Sequence, residues 1–261
     1  HLYGMGISLI ASPLFLQNFA FWKQINYFEV GNSNPILHTW SLAVEWQFYL
    51  VYPILIAPFR NNRKVMLFLL LAICAVSFSL CVWSTYYKPM AAFYLTPFRV
   101  WEFVIGGLVS FLATRTERRF RDEVISILGV IAILWACFAY DDRTLFPGFA
   151  ALLPCVGTAA LIHGGLNARK PFVQTLISCR PMGIVGKASY SIYLVHWPIL
   201  VFTGYFYPLG RPAHVSVLCL AASLALGIAS WLAVEAPFRK PGRISLRAKY
   251  GSAFAAMTVG C

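Results

Sequence analysis

Apolar residues run in long blocks along this chain instead of alternating with polar ones, which is the pattern of helices that are apolar on every face. Blocks long enough for a bilayer crossing of roughly 20 residues lie near residues 2–22, 36–59, 65–86, 91–114, 124–140, 146–164, 185–207 and 213–235, and a ninth begins at Tyr250. The pattern predicts an all-α fold, a polytopic transmembrane helical bundle of eight spans plus the start of a ninth. The bundle is expected to occupy residues 1–249, with 250–261 opening a further transmembrane helix. Because the chain starts at His1 almost directly in one apolar block and stops inside another, it reads as a piece of a longer protein. Pro147 and Pro154 fall within block 146–164, and block 124–140 is short.

Charge sorts the connections into two kinds. The second, fourth, sixth and eighth carry Arg60, Arg63, Lys64; Arg115, Arg118, Arg119, Arg121; Arg169, Lys170, Arg180, Lys187; and Arg239, Lys240, Arg243, Arg247, Lys249, sixteen of the 21 basic residues. The intervening connections hold one each, Lys23, Lys88, Arg143 and Arg211, and the remaining one, Arg99, falls well inside a span. This alternation is the positive-inside rule, and it assigns the even-numbered connections to the cytoplasm. It also accounts for the net charge of +12 without a nucleic-acid partner. Composition agrees: 59% hydrophobic and 11% charged residues, with a mean hydropathy of +0.69, exclude an ordinary soluble domain, where about a quarter of residues are charged. The seven cysteines are scattered through mostly apolar segments without a Cys-x-x-Cys pair or disulfide spacing, and read as small core residues. No metal site is expected.

Against this apolar background the few polar side chains stand out. Helical offsets of three, seven and eleven put His38, Ser41, Glu45 and Tyr49 on one stripe of the second span, while Trp40 points elsewhere and reads as an interfacial anchor. An ionisable group in hydrocarbon is costly unless it faces a partner or water, which makes Glu45 a candidate for function. The fourth span places Arg99, Glu102, Gly106 and Ser110 on one face, with Arg99 and Glu102 close enough to pair. The seventh carries Ser189, Tyr193 and His196 on one stripe, and Pro198 there deprives the Leu194 carbonyl of its helical donor, predicting a kink beside His196. Glu235 is placed at the cytoplasmic end of its helix, Asp122 and Glu123 in an inner connection, and His163 and His214 at span ends. Carboxylate, imidazole and guanidinium gathered at one depth suit proton transfer and oxyanion stabilisation, and equally suit a proton-coupled transporter or exporter. A non-catalytic membrane scaffold is the third reading.

Five segments bear a resemblance to a known family: Phe-Leu-Gln-Asn-Phe-Ala-Phe-Trp (15–22), Asn-Pro-Ile-Leu-His-Thr-Trp-Ser-Leu-Ala-Val-Glu-Trp-Gln-Phe-Tyr-Leu (34–50), Arg-Val-Trp-Glu-Phe-Val-Ile-Gly-Gly (99–107), Ala-Ser-Tyr-Ser-Ile-Tyr-Leu-Val-His-Trp-Pro (188–198) and Val-Glu-Ala-Pro-Phe-Arg (234–239). In order and spacing they look like the successive signatures of the acyltransferase-3 family of integral-membrane O-acyltransferases, the group that includes lipopolysaccharide and peptidoglycan O-acetyltransferases. The resemblance implies transfer of an acyl group, usually acetyl, from cytoplasmic acyl-CoA to a hydroxyl of an extracytoplasmic glycan such as lipopolysaccharide O-antigen. It implies an inner (plasma) membrane location, acyl-CoA as co-substrate with no tightly bound cofactor, and, in the nearest subgroup, a C-terminal SGNH-type domain. Carried over residue by residue, it implies that Glu45 lies near the family's catalytic His and that Arg99, Glu102 and His196 line the same cavity, nominating these four as catalytic, while the polar stripes add His38, Ser41, Tyr49, Ser189 and Tyr193 as substrate-binding candidates. Two departures are visible: Glu45-Trp46-Gln47 stands where the family has Glu-Glu-Gln, and the family's leading helices, with a basic residue and the His usually held to be catalytic, correspond to positions before His1.

Overall fold

The computed structural model describes residues 11–24, 34–112, 119–141, 143–166, 172–208 and 210–239. Every regular element among these residues is helical. In chain order they are α1 (Gln17–Gln24), α2 (Trp40–Ile56), α3 (Arg63–Tyr87), α4 (Pro89–Tyr94), α5 (Val100–Leu112), α6 (Arg119–Ala139), α7 (Leu152–Gly165), α8 (Phe172–Ile177), α9 (Arg180–Phe206), α10 (Ala213–Ser230) and α11 (Ala236–Arg239), with a π-helical turn Trp231–Glu235 joining the last two. Among the described residues, four stretches are long and apolar enough to cross a bilayer: Leu37–Phe59, Arg63–Tyr87, Phe120–Ala139 and Ala213–Arg239. Two shorter apolar helices accompany them, Val100–Phe111 and Leu152–Gly165. The protein is thus a multi-pass membrane protein, and the short block 124–140 lies within a helix of full crossing length.

Among the described residues three predicted blocks are not continuous helices; in block 2–22 the left-handed Phe15 (φ 53°) separates a 3-10 turn Ser12–Leu14 from α1. Block 91–114 divides into α4 and α5, because Leu95 turns extended and Pro97 has no N–H to carry the helix on. Ser77 of α3 repairs the break: its hydroxyl donates to the Pro97 carbonyl (2.7 Å) and accepts the N–H of Trp101 (3.1 Å). Block 146–164 is helical only from Leu152, after a series of turns over 146–151. The ninth block at Tyr250 and the expected boundary at 249/250 lie outside the described residues, as does the start of the first block.

The chain forms two compact units, one from residues 1–40 and 179–261 and the other from Ser41–Ser178. In the first, α9 and α10 pack together at a point where only glycine fits. A Cβ on Gly227 would lie 2.6 Å from the Cα of Ile192. Beyond it the π turn carries Glu235, which accepts from Ser191 (2.6 Å) and pairs with Arg239 (2.8 Å).

In the second unit α2, α3 and α5 enclose Phe48, Met66, Leu70, Val104 and Leu108, and Phe48 stacks on Phe103 at 4.8 Å. A neighbouring cluster holds the fully buried Trp101 with Cys81 and Ala151. The backbones of α6 and α7 meet at Gly129 and Gly157, where a Cβ on either would stand within 2.8 Å of the other's carbonyl oxygen. Small residues permit such close crossings between membrane helices.

Candidate functional site

Each unit gathers sequence-nominated polar residues into a cluster of its own. In the first unit the short 3-10 turn Leu37–Thr39 lies against α9. His38, only 4% exposed, is surrounded by the rings of Tyr193 (5.1 Å between centroids), His196 (5.5 Å) and Trp197 (6.3 Å). Backbone bonds hold this arrangement: the Tyr193 hydroxyl donates to the His38 carbonyl (2.5 Å), Trp197 Nε1 to the Asn34 carbonyl (2.9 Å), and Gln17 to the Thr39 carbonyl (3.0 Å). The His38 ring faces the carbonyls of Leu194 and Pro35. Leu194 is the residue whose helical donor Pro198 removes, so its carbonyl has no helical N–H to accept and lies beside the His38 ring.

His196 is oriented by its own helix. Its Nδ1 lies 2.6 Å from the Tyr193 carbonyl. A carbonyl only accepts, so Nδ1 carries the proton in that bond and the neutral ring keeps its lone pair on Nε2. That is the tautomer a general base at Nε2 requires. Ser189, by contrast, is exposed on α9. Trp40 is 8% exposed, which corrects its reading as an interfacial anchor: it is a packed side chain.

In the second unit Glu45 and Tyr49 behave as the stripe predicts, the Tyr49 hydroxyl donating to Glu45 Oε1 at 2.7 Å. Ser41, one turn before Glu45, is half-buried. Arg99 and Glu102 form an ion pair at 2.7 Å with side chains 13% and 15% exposed. The Arg99 guanidinium also lies over the rings of Phe93 and Phe146, at 6.0 and 5.5 Å. The loop that carries Arg99 is tied to α2 by a bond from Thr96 to Gln47, two residues along from Glu45. Glu102 borders a cavity of about 320 Å³ between α5 and α7.

Several polar residues take positions that sequence reasoning placed elsewhere. Asp122 is not in a connection but in the first turn of α6, 1% exposed, with its carboxylate 3.6 Å from Arg121 and 3.9 Å from His163. Its neighbour Glu123 accepts from the N–H groups of Phe172 (2.5 Å) and Val173 (3.3 Å), capping α8. Glu235 is largely buried within its bonds to Ser191 and Arg239. The signal for Asp122 and Glu123 was present: acidic residues favour the first turn of a helix. Burial of Asp122 follows from Gly164, which leaves room for α7 to approach Ser126 one turn along.

Comparison with known proteins bears on what these groups do. The family model for the acyltransferase domain matches residues 3–233. The O-acetyltransferase OatA of Staphylococcus aureus is 24% identical over 249 residues, 89% of this chain and 41% of that protein. The peptidoglycan O-acetyltransferase OatA of Listeria monocytogenes is 27% identical over 260 residues, 90% of this chain and 40% of that protein. A putative membrane-bound transacylase, BcsY of Komagataeibacter xylinus, is 27% identical over 227 residues, 85% of this chain and 56% of that protein. The chain therefore spans about half or less of the length of these relatives. No solved structure matches. With the match covering all but the two ends, and running through both polar clusters, the chain belongs to the acyltransferase-3 family.

Proposed function

We propose that this protein is a membrane O-acyltransferase that moves an acyl group, acetyl in the simplest case, from acyl-CoA to a hydroxyl of an extracytoplasmic envelope glycan. The observation that carries the reading is the alignment of two O-acetyltransferases along 89% and 90% of the chain. The acceptor hydroxyl gives its proton to an imidazole as its oxygen attacks the thioester carbonyl. The tetrahedral intermediate then collapses, the C–S bond breaks, and CoA leaves as the thiol after taking the proton back. His196 is assigned as a base, and Glu45, separately, as the carboxylate that orients or charges a catalytic imidazole. Arg99 supplies positive charge for the developing oxyanion, in a setting dry enough to make that charge effective. Glu102 holds the guanidinium in place. His38, Tyr193, Ser41, Tyr49 and Ser189 are assigned to binding the substrates.

The even-numbered connections lie in the cytoplasm on this reading, and their basic residues meet the phosphates of acyl-CoA. The test is transfer of labelled acetyl from acetyl-CoA by the intact protein in membranes, with peptidoglycan and lipopolysaccharide offered as separate acceptors. Transfer to one of them is expected, with a fall of 10²-fold or more in Glu45→Gln and Arg99→Met. Absence of transfer to any glycan, together with proton flux across proteoliposomes, would replace acyl transfer by proton-coupled export.

A further inference from the structure

The cavity beside Glu102 is unlike the helix crossings around it. Where α6 meets α7 and α9 meets α10, a glycine brings the backbones into contact and leaves no space. Between α5 and α7, Gly106 faces open space instead, with nothing within 4 Å of the position a Cβ would take. Cys155, Thr158, Ala159 and Ile162 form the opposite wall. Thr158 spends its hydroxyl on the Pro154 carbonyl at 2.8 Å, so the wall is apolar along its length. From Pro154 to Ile162 it runs about 12 Å at the helical rise of 1.5 Å per residue. Glu102, paired with Arg99, is the one charged residue on the lining.

An apolar slot with a single charged pair on its lining fits a molecule with a hydrocarbon body and one polar reacting end. Its volume of about 320 Å³ is roughly twice that of an apolar cavity of about 150 Å³ that holds the six carbons of benzene. Acetyl would touch only a small part of this half-open slot, whereas a longer chain would make dispersion contacts along its apolar wall. We infer that the slot between α5 and α7 receives the hydrocarbon chain of the acyl donor, and that the small size of Gly106 and Ala159, which add no more than a methyl group to its walls, sets the longest acyl group the protein transfers.

The inference rests on the proposed acyl transfer and names the donor class: acyl-CoA of six or more carbons is used alongside acetyl-CoA. Its test compares acetyl-, butyryl-, hexanoyl- and octanoyl-CoA as donors to the same glycan, using the intact protein in membranes. The wild type is expected to use hexanoyl-CoA within about tenfold of acetyl-CoA. Gly106→Leu, and independently Ala159→Leu from the facing helix, are expected to lower the hexanoyl-to-acetyl ratio of kcat/KM by 10-fold or more, the scale on which a hydrophobic pocket discriminates methylenes. Two variants on different helices guard against misfolding in one. A ratio unchanged in both overturns the inference. A wild type confined to acetyl-CoA overturns it too, while leaving acyl transfer standing. Failure with every donor and acceptor removes the acyl-transfer reading itself.

Discussion

Replacing Arg99 by Met leaves the Glu102 carboxylate buried beside Phe103 and Ile105 with its cationic partner gone. At 2.7 Å and an effective dielectric constant of about 20, the attraction between the two charges is about 6 kcal/mol. Each ion has surrendered several kcal/mol of hydration to reach 13% and 15% exposure, so the pair as a whole contributes little to stability. Breaking it is another matter, since one desolvated charge then stands uncompensated, at a cost of about 3–5 kcal/mol. Either single variant, Arg99→Met or Glu102→Met, is therefore expected to lose about that much, whereas Arg99→Met/Glu102→Met is expected to lie within about 1 kcal/mol of the wild type. Reversible unfolding of the intact protein in mixed micelles, followed by tryptophan fluorescence, measures all four corners of the cycle. The double variant also separates stability from chemistry: it is expected to fold, yet to transfer acyl groups 10²–10³-fold more slowly. A double variant as unstable as the singles would refute the account of a mutually compensated pair. Undiminished transfer would remove Arg99 from the oxyanion site.

Other substitutions probe the devices that position these groups. Ser77→Ala strands the Pro97 carbonyl and the Trp101 N–H in an apolar setting, and is expected to cost about 1–3 kcal/mol for each group left unpaired, read in the same unfolding assay. Gly227→Ala forces α9 and α10 apart at Ile192 and is expected to destabilise by about 1–3 kcal/mol, with interhelical cysteine crosslinking reporting the altered spacing. His196→Asn keeps a donor for the Tyr193 carbonyl but has no basic nitrogen, so transfer is expected to fall 10²–10⁴-fold with thermal stability within a few degrees of wild type. Glu123→Ala removes the carboxylate that caps α8 and is expected to cost about 1 kcal/mol, with faster amide exchange confined to Phe172 and Val173.

The helical class and the position of most helices were legible in the sequence because the bilayer imposes a local rule. Backbone groups must be satisfied within each segment, so segment length and apolar composition suffice to announce a helix. The polar stripe of Glu45 and Tyr49, the Arg99–Glu102 pair and the carbonyl freed by Pro198 were legible for the same reason, since each depends on spacing within one helix. What depends on a second element was not. Trp40 is buried because of what packs around it, and Asp122 because Gly164 of α7 makes room beside α6. Block 91–114 tolerates its break because a serine some twenty residues earlier satisfies the Pro97 carbonyl and the Trp101 N–H. Glycines show the divide most clearly: Gly227 and Gly106 look alike in a sequence, yet one marks two backbones in contact and the other an open slot. Only the facing helix decides which, because a missing side chain has no direction until something is brought opposite it.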